Sequence, residues 1–271
     1  MDALMFFNHN LSRSDISVRY VFQKMFSPLG ALVAVECLSR FDHIPVSPEE
    51  LFRYANADLR ESIFMEQLAL IEKHKAWFIK NNVSATINVD DHILSVLLRP
   101  EVKAKVKALG CVHFEITENS NELLNNSLAA WCDSHSTPLW LDDFGAGYAG
   151  INAIRGYHFD YVKIDRNFFW HLMQKESGRP LMDALVTFLS RNQHNVIIEG
   201  VESEAHKKWL QGMEWFAIQG HYWKEVSIEQ LVKEEITVYG QRRDYGLKKR
   251  KKCRKTPASK PTFTRKKSVI H

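Results

Sequence analysis

Polar residues recur at one place in this sequence: nearly every short, apolar, β-like run ends in an acid, an amide or a lysine. The runs cover residues 18–23, 32–38, 85–89, 111–117, 138–142, 161–164, 195–199 and 216–219. The polar residues are Glu36, Asn88, Glu115, Asp142 with Asp143, Lys163, Glu199 and Gln219. Between the runs lie stretches with helical spacing, such as Phe64, Leu68, Leu70 and Ile71, or Leu181, Leu185, Phe188 and Leu189. One helix start is fully marked, with Ser47 as N-cap, Pro48 at the first helical position and Glu50 completing a capping box. About eight β-like runs alternating with helices predict one α/β domain. In a (β/α)8 barrel the C-terminal strand ends meet on one face, where active sites are built, so these polar residues are expected to converge there.

A chain of 271 residues has room for one such domain plus an extension. Its 45% hydrophobic and 25% charged residues are those of a globular protein. No run reaches the roughly 18 apolar residues that span a bilayer. The start lacks a basic leader and a small-residue cleavage site, so the cytoplasm is the expected location. Cys37, Cys111, Cys132 and Cys253 show no CxxC spacing, which argues against both a zinc site and a disulfide framework.

Charge divides the chain unevenly. Of the 36 Lys and Arg, 13 lie after residue 240 against the single acid Asp244, so the tail carries +12 and the rest −8. We therefore expect an N-terminal extension over residues 1–11, a catalytic domain over 12–238, and a basic, disordered tail over 239–271 that contains Pro257 and Pro261. The dense basic run at 248–255 suits a weak, salt-dependent contact with an anionic surface. Sequence-specific nucleic-acid recognition is not expected.

Five carboxylates brought together would repel one another strongly unless cations sit among them or some are protonated. Oxygen donors with one Asn and no Cys or His favour hard ions, Mg²⁺ or Mn²⁺, over zinc. The adjacent acids Asp142 and Asp143 suit two ions, and a pair roughly 3.5–4 Å apart would activate a water for in-line attack on a phosphate ester. Lys163 would hold that water or offset transition-state charge.

At these residues the sequence resembles the EAL-domain cyclic-di-GMP phosphodiesterases, from about Val18 to Gly220 and in the family's order. The Glu-Ala-Leu signature followed by Arg reads Glu36-Cys37-Leu38-Ser39-Arg40, and the Asn strand reads Ile87-Asn88-Val89. Glu115-Ile116-Thr117-Glu118 matches Glu-Leu-Thr-Glu, and Asp-Asp-Phe-Gly is intact at 142–145. Lys-Ile-Asp-Arg is intact at 163–166, Glu-Gly-Val-Glu at 199–202 and Gln-Gly at 219–220. The resemblance implies a modified (β/α)8 TIM barrel with its first strand antiparallel to the rest. It implies that Glu36, Asn88, Glu115, Asp142, Asp143 and Glu199 hold two Mg²⁺ or Mn²⁺ ions, with Glu36, Lys163 and Glu199 in catalysis. Gln23, Arg40 and Gln219 match dinucleotide contacts, Arg40 through its planar donor fork. Glu118 matches the residue that couples a loop and a homodimer to metal binding.

The implied reaction is hydrolysis of cyclic di-GMP to linear pGpG, in signalling that controls biofilm, adhesion or motility. Departures from the family pattern are Cys37 for Ala, Lys24 for Pro, Ala146 and Ala149 for hydroxyl residues, and a stretch after Gln219, His221 to Val226, that lacks the usual Pro. The competing expectation is a catalytically silent EAL module that binds a protein or the dinucleotide. Gly145 to Gly150 also fits G-x-G-x-x-G, but Asp142 and Asp143 just before it would repel a pyrophosphate.

Overall fold

The computed structural model describes residues 13–42, 47–118, 120, 137–147 and 150–234. The expected N-terminal extension and basic tail, and Ala149, Cys132 and Cys253, lie outside the described residues. Eight strands close into a barrel in chain order: β1 (Val18–Phe26), β2 (Leu32–Phe41), β3 (Ser84–Asn88), β4 (Val112–Thr117), β5 (Leu139–Phe144), β6 (Tyr161–Ile164), β7 (Asn195–Ile198) and β8 (Ala217–Gln219). β1 is antiparallel to both β2 and β8, and every other neighbouring pair is parallel. The reversed strand follows from its connection. Residues 27–31 leave room only for a hairpin, closed by Ser27 N donating to Ala31 O at 2.9 Å, whereas a parallel crossover needs a dozen residues or more.

The described helices are α1 (Pro48–Tyr54), α2 (Ala57–Lys73), α3 (Lys75–Asn81), α4 (Asp91–Leu97), α5 (Pro100–Leu109), α6 (Gly150–Gly156), α7 (Arg166–Met173), α8 (Gly178–Arg191), α9 (Glu204–Trp209) and α10 (Ile228–Leu231). None is long and apolar enough to cross a membrane. The capping box forms as expected: Glu50 N donates to Ser47 Oγ at 3.2 Å and Ser47 N to a Glu50 carboxylate oxygen at 3.3 Å.

Among the described residues, strand alternation sorts the barrel core into two bodies, and Ile16, Leu51, Ala55, Leu59 and Ile63 form a third cluster under α1 and α2. Outward residues such as Val35, Cys37, Ala85, Ile87, Phe114, Leu141, Val162, Ile164 and Ile198 pack under the helices. Helix α2 contributes Phe64, Leu68 and Ile71 to that layer, as its spacing predicts. Helix α8 forms where its spacing predicts and adds Leu189 to that layer, with Leu185 packed against it. Met182, Val186 and Leu189 are buried, while Leu181 and Phe188 stay more than half exposed. The second body, inside the barrel, holds Met25, Ala34, Trp140, Ile197 and Ala217, with Tyr161 and Phe216 against them.

Candidate active site

The inner residues come in pairs two apart on each strand, and the period-two alternation points both members of a pair inward. Ala34, Trp140, Tyr161, Ile197 and Ala217 form a floor, and Glu36, Asp142, Lys163, Glu199 and Gln219 form a ring one step further along. On the reversed β1 the order inverts, so Gln23 precedes Met25 and lies opposite Glu36. Not every ring residue ends its strand as expected. Glu36 sits in the middle of β2 and Glu115 two residues before the end of β4, because both strands run on past the barrel mouth. Glu199 immediately follows β7, and Asn88 and Gln219 end β3 and β8.

The ring closes on Lys163, whose side chain is 1% exposed. Its Nζ lies 2.6 Å from Glu115, 2.8 Å from Glu199, 3.1 Å from Asp142 and 3.2 Å from Glu36. Five strands thus deliver one ammonium and four carboxylates to a single point. Glu36 also accepts from Asn88 Nδ2 and Gln219 Nε2, both at 2.6 Å, and Gln219 Nε2 reaches Gln23 Oε1 at 2.7 Å.

Asp143 reaches the same mouth by breaking the strand's alternation. In a regular strand it would point away from Asp142, into the helix layer. Its φ is 57°, a left-handed conformation, and the β5–β6 register shifts between Leu141 and Phe144. The bulge places oxygens of Asp142, Asp143 and Glu199 within 4.8 Å of one another. The turn that follows needs Gly145, at φ 97°, where a Cβ would lie 2.8 Å from the Phe168 ring. Glu118 fastens this turn by accepting from the backbone N–H groups of Gly145, at 3.4 Å, and Gly147.

Burial and mutual repulsion decide the protonation of the ring. Burial and the neighbouring Glu36 charge push Glu115 well above the ordinary carboxylate range. Burial outweighs Lys163 and raises Asp142, pushing Glu199 likewise up to about 8. Burial with the adjacent Asp142 charge takes Asp143 to about 7. Only Glu36 is lowered, since Lys163 and the two amides together overcome its burial. Lys163, although buried, is held well above its ordinary value by the four carboxylates. One ammonium does not balance five acids, and Glu115 Oε1 is buried with no hydrogen-bond partner. All-oxygen donors, clustered and short of positive charge, fit hard divalent cations. Among the described residues, Asp142, Asp143 and Glu199 bring carboxylate oxygens close enough together to hold such an ion.

Arg40 instead pairs with Glu225, its Nη2 and Nε facing the two carboxylate oxygens. Glu225 was not anticipated, and 185 residues separate it from Arg40. Asp165 in the Lys-Ile-Asp-Arg motif is structural, capping α7 by accepting from Phe168 N at 2.9 Å. Gln67, also unanticipated, donates to Cys37 O at 2.9 Å, just where β2 loses its β3 partner after Glu36.

Residues 8–225 match the family model for the EAL domain. Over 210 residues the chain is 31% identical to the cyclic di-GMP phosphodiesterase PdeH of Escherichia coli K12, covering 75% of this chain and 81% of PdeH. It is also 31% identical over 175 residues to the anti-FlhC(2)FlhD(4) factor YdiV of Salmonella typhimurium LT2, covering 63% of this chain and 73% of YdiV. Among solved structures, the FimX EAL domain superposes with a TM-score of 0.70 at 21% identity, covering 87% of this chain and 99% of that one.

Proposed function

The chain belongs to the EAL-domain family, and from that premise we propose that it hydrolyses cyclic di-GMP to linear pGpG. The observation that carries the reading is the convergence of Lys163 with Glu36, Glu115, Asp142 and Glu199 from five strands. Together with Asn88 and Asp143, these acids would hold two Mg²⁺ or Mn²⁺ ions, which when bound supply a water of lowered pKa and positive charge at the phosphoryl oxygens. Lys163 orients the attacking water and offsets charge on the phosphorane-like transition state. The water oxygen bonds to phosphorus, the bond from phosphorus to the 3′ oxygen breaks, and that oxygen takes up a proton. One phosphodiester becomes a 5′-phosphate and a free 3′-hydroxyl.

Gln219 links the Gln23 side chain to Glu36, so the dinucleotide contacts and the acid ring share one hydrogen-bond chain. Arg40 takes a phosphate of the dinucleotide through its donor fork. Glu118, fastened to the Gly145–Gly147 backbone, couples the Asp143 turn to a homodimer contact. In this reading the protein acts in the cytoplasm and lowers the cellular level of the dinucleotide in the control of biofilm, adhesion or motility. The basic tail contributes weak contact with anionic surfaces.

The similarity to YdiV favours a second reading, a module that binds a protein partner without turnover. Incubating the purified protein with cyclic di-GMP and Mg²⁺ or Mn²⁺ and following pGpG by chromatography separates the two. We expect pGpG. Dinucleotide binding in Ca²⁺ with no product would leave the binding module standing.

A further inference from the structure

Beyond the acid ring, β2 continues to Phe41, and Arg40 lies on the same face as Glu36 four residues further on, about 13 Å along the strand. There β2 has left β3, whose pairing stops at Glu36 with Thr86, but it is still paired with β1. The residue directly opposite Arg40 is Arg19. Like charges facing each other across an antiparallel pair are destabilising unless each has a counter-charge. Each arginine has one: Arg19 Nε contacts Asp42 Oδ1 at 3.0 Å, and Arg40 contacts Glu225 through both carboxylate oxygens.

The two carboxylates are held differently. Asp42 belongs to the hairpin itself and is only loosely enclosed. Glu225 reaches across from the segment after β8, and backbone pairing fixes its position. Phe22 N donates to Val226 O at 2.8 Å, and Val226 N returns the bond to Phe22 O at 3.2 Å. Trp223 packs on Phe26 with ring centroids 4.6 Å apart, and Lys24 binds Glu234 at 2.8 Å. Here the sequence departs from the family pattern twice, with Lys24 in β1 and a stretch after Gln219 that ends in Val226. The Arg40 and Glu225 side chains are 27% and 24% exposed, so the pair is partly sheltered from solvent.

We propose that Glu225 is a built-in competitor for the dinucleotide, an acidic latch occupying the edge of Arg40 that a substrate phosphate must take. This rests on the reading of Arg40 as a phosphate contact. A guanidinium edge donates to a carboxylate or to a phosphate in the same bidentate geometry, but one edge does not serve both. Binding therefore exchanges one anion for the other, and the latch weakens affinity for any ligand that delivers less negative charge to this rim. The latch is a specificity and affinity device; it takes no part in bond breaking.

The test compares wild type, Glu225→Gln, Glu225→Ala, Arg40→Ala and the Arg40→Ala/Glu225→Gln double variant. The dissociation constant for cyclic di-GMP is measured by calorimetry in Ca²⁺, and KM in Mn²⁺. Both Glu225 variants are expected to bind about three- to tenfold more tightly, with the change falling on KM and vanishing in the Arg40→Ala background. Unchanged or weaker binding in both variants, or a gain that survives loss of Arg40, overturns the latch. Tighter binding with no pGpG from any form would leave the latch standing and sink the hydrolase reading, whereas turnover with no change in affinity would do the reverse.

Discussion

The floor and the ring of the barrel interior lie on the same strands, two residues apart, and obey opposite physics. The floor is apolar and tightly packed: Trp140 is 1% exposed, stacks on Tyr161 at 4.1 Å and donates through Nε1 to His113 Nδ1 at 3.1 Å. The ring crowds four acids around one buried lysine, sets Asp143 beside Asp142 and Glu199, and leaves Glu115 Oε1 without a partner. Burial that stabilises the floor penalises the ring, because charges lose their water without gaining enough opposite charge. The floor accordingly supports the fold, while the ring costs stability.

Substitutions at the two levels should therefore separate stability from turnover. The largest effect is expected from Asp142→Asn, which should lower pGpG formation by more than about 100-fold, yet raise the thermal midpoint in EDTA by relieving repulsion. A lowered midpoint would place Asp142 with the floor. Trp140→Ala should do the converse, costing about 3–5 kcal/mol in denaturant unfolding through the cavity it opens. Its turnover well below the melting temperature should change far less than that of Asp142→Asn.

Glu118→Gln, which weakens the acceptor for the Gly145–Gly147 backbone, should reduce Mn²⁺ affinity by about tenfold without removing the site. The pH dependence of stability should also set the ring apart from the floor. Glu199, raised from 4.5 to about 8, and Asp143, raised from 3.8 to about 7, keep their protons in the folded chain where the unfolded chain has lost them. The folded form then binds more protons, so stability in EDTA should fall as pH rises through that window, read as a falling melting temperature. Mn²⁺ should flatten the slope. Glu36 has the opposite sign, and its contribution is lost as pH falls through its lowered value.

Much of this layout is legible in the sequence because strand alternation is local. All eight β-like runs correspond to barrel strands, and the ring residues can be picked out as polar breaks in apolar runs. Three features escape such a reading. The extension of β2 to Phe41 is masked by polar Ser39 and Arg40, so Glu36 reads as a strand end when it lies mid-strand. The turning of Asp143 into the mouth depends on a left-handed backbone and a register shift, not on residue type. The Arg40–Glu225 pair joins residues too far apart for any pattern to connect.

The central claim is that the ring is a cation site. Its most direct test is to count Mn²⁺ bound per chain, by electron paramagnetic resonance of the free ion at about pH 8. Two ions are expected to bind per wild-type chain, and Asp142→Asn is expected to lose that binding. No bound Mn²⁺ in a folded wild-type protein would contradict it and make Lys163 the ring's own permanent counter-charge.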